Sequence, residues 1–301
     1  MASSSPATMD VHSSQMIVQG IGDPLRILAI DVGAGTQDVL VYDSSRSIEN
    51  SVRLVLPSQT QVVARRIRQA TVAGASVHLT GSVMGGGAMS SAVDDHLAAG
   101  FRVSATCDAA RSIHNDLDRV RGKGIEVRDT PHAGDVVVRT SDLDLDGLRS
   151  LLDRFGVELP DLVAVAVQDH GYLPDAGGRE FRYEFLQTLL AAGGDLGSMI
   201  YQTVPDYMVR MQAVLDEHPG AFVMDTGAAA VLGALGDPVV AHHASTDGAI
   251  LVNVGNMHTF GVALRGDTVF GLFEHHTGGT TAEVLAALVH SLSDGSLTHD
   301  D

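Results

Sequence analysis

The feature that most constrains this sequence is a glycine-rich turn between two short apolar segments near residue 35. Arg26–Asp31 and Val39–Tyr42 have the composition of β-strands, and Gly33 and Gly35 lie between them. Glycine adopts backbone angles that are closed to other residues, so this pattern predicts a β-hairpin. Main-chain N–H groups of such a turn can converge on a phosphate. A tight turn with incidental glycines is the alternative interpretation.

Two polar side chains of this hairpin fit the same chemistry. The hydroxyl of Thr36 could donate to a phosphate oxygen. Asp31, at the end of the first strand, could hold Mg²⁺ through water, as that ion prefers.

A second glycine turn lies at Asn253–Thr259, again between two predicted strands. Thr259 would be the counterpart of Thr36, whereas Asn253 is neutral where the first hairpin has an acid. Two such hairpins facing each other across a cleft would hold opposite sides of a polyphosphate. The predicted phosphate-binding residues are Gly33, Gly35, Thr36, Gln37, Gly255, Asn256 and Thr259.

Strand patterns alternate with helical patterns along most of the chain, which is typical of an α/β protein. The 301 residues are 45% hydrophobic, but only 4% are aromatic and none is Trp. A core of Ala, Val, Leu and Ile favours a buried sheet covered by helices. We expect a large lobe over residues 25–238, a partial second lobe over residues 239–301 and a disordered tail over residues 1–24.

Charge and cysteine content exclude several classes of function. The formal net charge of −18 argues against binding to nucleic acid or anionic membrane, which both require basic patches. Lys123 is the only lysine, so an anion must be held by backbone N–H groups, arginine or a metal ion. Cys107 is the only cysteine, which excludes an intrachain disulfide and a cysteine-ligated Fe–S cluster. We expect a cytoplasmic protein with neither a signal peptide nor a membrane span.

Three polar residues at predicted strand ends form a candidate catalytic set. Gln168 and Asp169 follow the apolar strand Leu162–Val167. Asp225 lies where another strand runs into the small-residue helix Ala228–Leu235, a corner from which a carboxylate can reach a cleft. The small residues of that helix suit a hinge between two lobes, and ordinary helix–sheet packing explains them equally well.

The order of three of these segments resembles the ASKHA superfamily, which contains acetate and sugar kinases, heat-shock ATPase chaperones and actin. Asp31–Asp38, Met224–Leu235 and Asn253–Thr259 are similar to its phosphate-1, connect-1 and phosphate-2 motifs. The resemblance implies a two-lobe ribonuclease-H-like fold of the actin-like ATPase type, with ATP and Mg²⁺ as cofactors. It places Asp225 near the attacking water and Gln168 where actin-like members orient that water.

Further segments are similar to an uncharacterised ASKHA-like family often labelled pyruvate formate-lyase activating protein. They are Met84–Gly87, His96–Gly100, Ala166–Gly171, Val252–Asn256 and Phe273–Gly278. A radical activase of that kind needs three cysteines for its Fe–S cluster, so this chain is not predicted to be a radical SAM activase. Only 23 residues follow Gly278, and we therefore expect a second lobe that is short and lacks an adenosine-binding glycine motif.

Fourteen histidines offer a second kind of site. Those at predicted strand ends, with two acids that could stand beside them, are His170, His258, His275, His276, Asp169 and Glu274. If these strand ends meet, imidazole and carboxylate groups could ligate a divalent metal ion. The alternative is that each histidine caps a strand, since the spacing matches no recognised metal signature. His242 and His243 are expected on the surface, in a polar loop.

Three other features receive a weaker interpretation. The glycine run Met84–Ala88 precedes a helix whose N-terminus could bind an anion, or it is simply a flexible start to that helix. Asp142–Asp146 alternates acids on an expected solvated turn, to which we assign no chemistry. Arg179, Arg182 and Arg210 could meet a substrate anion, but we expect them to face solvent from helices.

These observations predict a Mg²⁺-dependent, ATP-binding phosphotransferase or ATPase that acts on an unknown small molecule. One alternative is a non-catalytic module that senses nucleotide or binds a partner. Another is a metal-dependent hydrolase that uses the histidine cluster. The predicted partners are a nucleotide and a small molecule, with a homo-oligomer compatible with the sequence and with neither nucleic acid nor membrane expected.

Overall fold

The computed structural model describes residues 24–172 and 178–298, and in these ranges the chain forms three β-sheets with helices packed against them. The strands are β1 (Arg26–Val32), β2 (Thr36–Asp43), β3 (Val52–Pro57), β4 (Val77–Gly81), β5 (Val103–Ala105), β6 (Glu126–Val127), β7 (Val136–Thr140), β8 (Leu162–Val167), β9 (Ile200–Tyr201), β10 (Phe222–Met224), β11 (Ala249–Val254), β12 (His258–Arg265) and β13 (Thr268–His276). The α-helices are α1 (Gln59–Val72), α2 (Gly87–Ala98), α3 (Cys107–Arg111), α4 (Leu117–Gly122), α5 (Leu145–Asp153), α6 (Gly178–Ala191), α7 (Val209–Glu217), α8 (Thr226–Ala234), α9 (Pro238–Thr246) and α10 (Ala282–Asp294). Short 3₁₀ helices lie at Ile48–Asn50, Leu196–Met199 and Thr277–Gly279.

A six-stranded mixed sheet is built around the first strand, in the order β3-β2-β1-β8-β10-β9. Strands β1, β8 and β10 run parallel to one another, whereas β2, β3 and β9 are antiparallel to their neighbours. Strand β1 buries alternate residues such as Leu28 and Ile30, because successive side chains point to opposite faces of a sheet. The carboxyl ends of the three parallel strands meet at one edge. Asp31 lies near the end of β1, and Gln168 and Asp225 follow β8 and β10.

A four-stranded parallel sheet, β6-β5-β4-β7, lies between β3 and β8 in the sequence. Its inner strand β4 buries the consecutive residues Val77, His78 and Leu79, as expected for a parallel strand covered on both faces. Helix α1 packs against the same core through Val63 and Ile67, which lie four residues apart on one helix face.

A three-stranded antiparallel sheet, β11-β12-β13, follows near the end of the chain. Most residues of its central strand β12 are buried. Helix α10 packs on it through Leu288 and Leu292, begins at the capping hydroxyl of Thr281 and ends at Gly295 in the left-handed conformation.

The fold class expected from the sequence is confirmed, because the structure is α/β with mixed and parallel sheets. The strand at Leu162–Val167 has the predicted bounds. Strand β7 and helix α9 were not predicted. Apart from Pro24, the tail predicted at residues 1–24 lies outside the described residues.

Helix α9 corrects the interpretation of His242 and His243. The side chain of Asp237 accepts hydrogen bonds from the backbone N–H groups of Val239 and Val240, and Pro238 occupies the first helical position. These are strong helix-start signals that were overlooked. Both histidines are exposed, as expected, but they lie in a helix rather than in a polar loop.

Among the described residues, no helix is both long enough and apolar enough to cross a membrane.

Candidate functional site

A polar cavity of about 420 Å³ lies where the parallel strands of the six-stranded sheet end. We call it the first cavity. Residues from the strand ends, from both glycine hairpins and from neighbouring loops line it, including Asp31, Gly33, Thr36, Asp38, Asp142, Gln168, Arg182, Arg210, Asp225, Asn253, Gly255, Asn256, His258 and Glu274. The structure therefore brings together most of the residues that the sequence placed at a cleft.

The first hairpin is closed by a hydrogen bond from the backbone N–H of Gly33 to the carbonyl oxygen of Thr36, at 2.9 Å. A Cβ atom on Gly33 would also lie 2.9 Å from that oxygen, so the turn requires glycine. Asp31 precedes the turn and lies directly across the hairpin from Asp38.

Burial raises the pKa of the Asp31 carboxyl group, and the negative charges of Asp38 and Asp225 act in the same direction. The hydroxyl of Thr226, 3.3 Å from Asp31 Oδ1, and the positive charge of Arg210 oppose this shift without cancelling it. The carboxylates around Asp31 consequently favour a cation near it.

The second hairpin has the same closure, with the N–H of Gly255 donating to the carbonyl oxygen of His258 at 2.9 Å. This match makes His258 the counterpart of Thr36 and pairs Thr259 with Gln37, which corrects the correspondence inferred from the sequence. The two turns lie side by side, because a Cβ atom on Gly35 would be 3.3 Å from Asn256 Nδ2.

Three of the predicted phosphate-binding residues do not line the first cavity: Gly35, Gln37 and Thr259. Gln37 and Thr259 are buried, and the Thr259 hydroxyl lies 3.1 Å from that of Thr277, which in turn donates to the carbonyl oxygen of Gly255. Thr259 therefore stabilises the second turn indirectly, through Thr277.

Asp225 is held in place at the start of α8. Its Oδ1 atom accepts a hydrogen bond from the N–H of Gly227 at 2.9 Å, and its Oδ2 atom lies 2.9 Å from Nη1 of Arg182. Asp225 is 1% exposed, so this ion pair compensates a carboxylate that would otherwise be buried without a counter-charge.

Arg182 also contacts Glu274 on β13, with 2.9 Å between Nε and Oε2. The other oxygen, Oε1, accepts hydrogen bonds from Gln168 at 2.6 Å and from His258 at 3.1 Å. Burial alone would raise the pKa of Glu274, but the hydrogen bond from His258 and the charge of Arg182 lower it to about 2. Gln168 thus reaches the first cavity as predicted, with its amide already bound to a carboxylate.

Asp169 has a different role from the one expected. Its carboxylate accepts hydrogen bonds from the backbone N–H groups of Gly171, Arg210 and Met211, at 2.8, 2.8 and 3.0 Å. It is buried and is not among the residues that line the first cavity. Because Arg210 and Met211 lie in the first turn of α7, Asp169 satisfies free N–H groups at that helix start.

Arg210 and Asp142 form a bidentate ion pair, with 2.6 Å between Nε and Oδ2 and 2.8 Å between Nη2 and Oδ1. Nη1 of Arg210 also donates to the carbonyl oxygen of Gln168 at 2.8 Å. The expectation that Asp142, Arg182 and Arg210 face solvent is therefore wrong, since each is largely buried at this site. One signal was available for Asp142, which follows the apolar run Val136–Val138 as a strand-end acid.

The predicted histidine cluster is assembled in part. Ligand atoms of His170, His258 and Glu274 lie within 4.8 Å of one another, and the ring of His276 is centred 4.7 Å from that of His258. His275 lies on the opposite face of β13 from Glu274 and His276.

A guanidinium lies beside this cluster. Arg182 contacts Glu274 directly, and desolvation together with the charge of Arg182 lowers the pKa of His170, although part of that ring is exposed. Within the cluster, His258 is hydrogen-bonded to Glu274, which also accepts from Gln168, and these contacts join the second hairpin to the end of β8.

One family matches this sequence. It is described as "Putative pyruvate format-lyase activating enzyme (DUF1786)", and its model covers residues 84–301. No curated protein shows a significant match to the chain.

Proposed function

The chain belongs to this family, and we propose that it binds ATP with Mg²⁺ and acts as a phosphotransferase or an ATPase. The observation that carries the proposal is the pair of glycine hairpins. Both turns have the same Gly N–H to carbonyl closure, both line the first cavity, and they lie side by side at the end of a parallel strand that carries Asp31.

The strand order supports a ribonuclease-H-like architecture of the actin-like kind. In the run β3-β2-β1-β8-β10, strands β3, β2 and β1 are antiparallel neighbours, and β8 and β10 follow parallel to β1. The meander β11-β12-β13 repeats the arrangement of β1-β2-β3 and would form the core of a short second lobe. We therefore propose two lobes that each supply one phosphate-binding hairpin.

The phosphates would be held mainly by the backbone. The candidates are the turns at Gly33 and Gly255, assisted by the side chains of Thr36 and Asn256. A chain with a single lysine and a net charge of −18 has few other means of binding a polyphosphate.

The residues of the first cavity fit a divalent cation. Asp31 is half-buried beside the acidic groups of Asp38 and Asp225, and these together raise its pKa. Asp31 would hold Mg²⁺ through water, with Asp38 nearby on the same hairpin. A bound Mg²⁺ would neutralise the charge on the phosphates, which is the main requirement of phosphoryl transfer.

Of the predicted catalytic residues, we propose Asp225 and Gln168 as those that orient the nucleophile, and the proposal is supported by their position in the lining of the first cavity. Arg182 fixes Asp225, and Glu274 fixes the Gln168 amide, so neither side chain is free to rotate. We do not assign this role to Asp169, whose oxygens are bound to three backbone N–H groups.

Calorimetric titration of Mg²⁺–ATP into the wild type, Asp31→Asn and Asp153→Asn tests the proposal. Asn keeps the shape of Asp31 and can still accept from Thr226, so the variant removes charge alone. We expect ATP affinity to fall at least about ten-fold in Asp31→Asn. Asp153 is exposed on α5 and serves as the matched control, with unchanged affinity expected.

A measurement of phosphate release from ATP then distinguishes an enzyme from a nucleotide-sensing module. Release above the rate without protein supports an enzyme, whereas binding without release favours the nucleotide-sensing module. Absence of binding at millimolar ATP, or an unaltered affinity in Asp31→Asn, would refute the assignment of the first cavity to Mg²⁺–ATP.

A further inference from the structure

A second cavity, of about 500 Å³, lies beside the first. The residues that line both cavities form the wall between them: Gly85, Gly86, Gln168 and Arg210. One side of the second cavity comes from the loops that follow β4 and α3, and the other from residues 168–172 and the start of α7. It therefore lies between the four-stranded and six-stranded sheets, a position typical of ligand-binding clefts.

Hydrogen bonds and close van der Waals contacts fix the residues of this wall. The guanidinium of Arg210 is bound by Asp142 and by the carbonyl oxygen of Gln168, and the N–H of Gly85 donates to the same Asp142 at 3.1 Å. A Cβ atom on Gly85 would lie 2.8 Å from Nη2 of Arg210, and one on Gly86 would lie 2.6 Å from the carbonyl oxygen of Ser112. The glycine run thus lets protein groups approach closely, and the two cavities remain adjacent.

The second cavity brings several arginines together in a strongly acidic protein. Arg111, Arg119 and Arg210 line it, against the two acids Asp116 and Asp169. Asp169 is already bound by backbone N–H groups, and Asp116 lies 3.6 Å from Arg119 and accepts from the N–H of Asp118. Arg210 is paired with Asp142, and Arg119 lies near Asp116, which leaves Arg111 as the arginine of this cavity to consider for a ligand.

Arg111 is the cation available to a ligand. Its side chain is exposed, and it makes no ion pair or hydrogen bond with any residue in the described ranges 24–172 and 178–298. A guanidinium presents a planar set of donors that matches the oxygens of a carboxylate or a phosphate.

His114 supplies a neutral donor next to these arginines. Its Nδ1 atom accepts a hydrogen bond from the backbone N–H of Asp116 at 2.9 Å, so Nδ1 carries no proton in this arrangement. The ring proton then lies on Nε2, and His114 lines the cavity as a hydrogen-bond donor.

We propose that the second cavity binds a small organic oxyanion, a carboxylate or a phosphate monoester, which serves as the phosphoryl acceptor. The acceptor role rests on the proposed function, because only the shared wall separates this cavity from the predicted phosphate site. Binding of the anion itself depends on Arg111 and does not require the first cavity to bind nucleotide.

The test is calorimetric titration of succinate, glycerol 3-phosphate and uncharged glycerol into the full chain, with and without Mg²⁺ and a non-hydrolysable ATP analogue. The variant is Arg111→Gln, and the matched control is Arg121→Gln on the exposed face of α4, where Arg121 pairs with Asp118 outside the cavity. We expect one of the two anions to bind at millimolar concentration or below. Its affinity should fall at least about ten-fold in Arg111→Gln and stay unchanged in Arg121→Gln.

The two anions separate a carboxylate ligand from a phosphate ligand. Failure of both anions to bind, binding of glycerol with equal affinity, or equal affinities in Arg111→Gln and the wild type would overturn the proposal. Thermal unfolding of each variant shows whether it is folded. Anion binding in a protein that does not bind nucleotide would refute the acceptor role and the proposed function, while the anion site would stand.

Discussion

At the scale of single residues, Glu274 shows how strongly the site depends on charge compensation. Its side chain is 12% exposed and is contacted by Arg182, Gln168 and His258. Such contacts stabilise the ionised carboxylate relative to an unfolded chain, in which glutamate has its ordinary pKa. The lowered pKa is therefore also a contribution to folding stability.

The folding stability that Glu274 contributes depends on pH. The pKa of folded Glu274, about 2, lies below its ordinary value of 4.5, so the stabilisation is present above pH 4.5 and is lost as the pH falls toward 2. The full shift corresponds to about 3 kcal/mol. We expect the advantage of wild type over Glu274→Gln, measured by urea unfolding, to decrease by about 1 kcal/mol between pH 6 and pH 3.5.

Glu184→Gln, at an exposed position on α6, is the control for changes shared by all variants. A difference between wild type and Glu274→Gln that stays constant over this pH range would contradict the lowered pKa.

Local sequence patterns identified part of the site and missed its counter-charges. Asp31, Gly33 and Gly255 could be recognised because a turn between two strands is a short-range signal. The pairing of Arg210 with Asp142 joins residues 68 positions apart and leaves no local pattern in either segment. Burial of such arginines follows from tertiary packing, which periodicity does not report.

At the scale of elements, the glycine turn before α2 determines how closely that helix approaches Arg210. The guanidinium of Arg210 is itself held in place, since it is bound by Asp142 and by a backbone carbonyl group. A side chain at Gly85 would therefore have to displace a buried ion pair instead of a mobile arginine. The same sequence feature had suggested a ligand, because glycine alone does not reveal what approaches it.

Substituting Gly85 tests how tightly the turn before α2 packs against Arg210. Gly85→Ala should lower the free energy of unfolding by about 1–3 kcal/mol, because the methyl group overlaps Nη2 of Arg210. Gly122→Ala at the end of α4, where no atom lies within 4 Å of the new methyl group, should be neutral or stabilising by up to about 1 kcal/mol. Urea unfolding at neutral pH measures both. Equal effects of the two substitutions would show that Arg210 moves freely.

Prediction of elements from the sequence succeeded where apolar patterns were strong and isolated. Strand β8 is a continuous apolar run and was recognised with its bounds. Strand β7 has only the short apolar run Val136–Val138, which was not recognised as a strand, and in the structure it is an edge strand with Val136 and Val137 exposed. Missing β7 also hid Asp142, which follows that strand toward the first cavity.

At the scale of the whole molecule, Arg182 links two sheets. Through Asp225 it contacts the end of the six-stranded sheet, and through Glu274 it contacts the three-stranded sheet. The hydrogen bond between Gln168 and Glu274 makes a second link across the same junction. The relative position of the two hairpins consequently depends on a small number of buried polar contacts.

Removing the shared cation should have a large effect. Arg182→Met leaves two buried carboxylates without their counter-charge and should cost about 3–5 kcal/mol of unfolding free energy. Arg121→Met, which removes an exposed ion pair with Asp118, should cost less than about 1 kcal/mol. Adding Asp225→Asn and Glu274→Gln to Arg182→Met should restore part of the loss. A cost for Arg182→Met no larger than that of the control would mean that the junction does not depend on this cation.

The pairing of β1 with β8 determines when these parts can come together during synthesis. Ile27 pairs with Leu162, so the central strands of the six-stranded sheet are separated by the whole four-stranded sheet, whose own strands pair between residues 77 and 140. Contacts between distant segments form late because closing a long loop costs entropy. On the ribosome, the four-stranded sheet can be complete before β8 exists, and the first hairpin must wait beside it. Glu274 is made last among the residues that line the first cavity, so a growing chain has no complete cavity until its final sheet has formed.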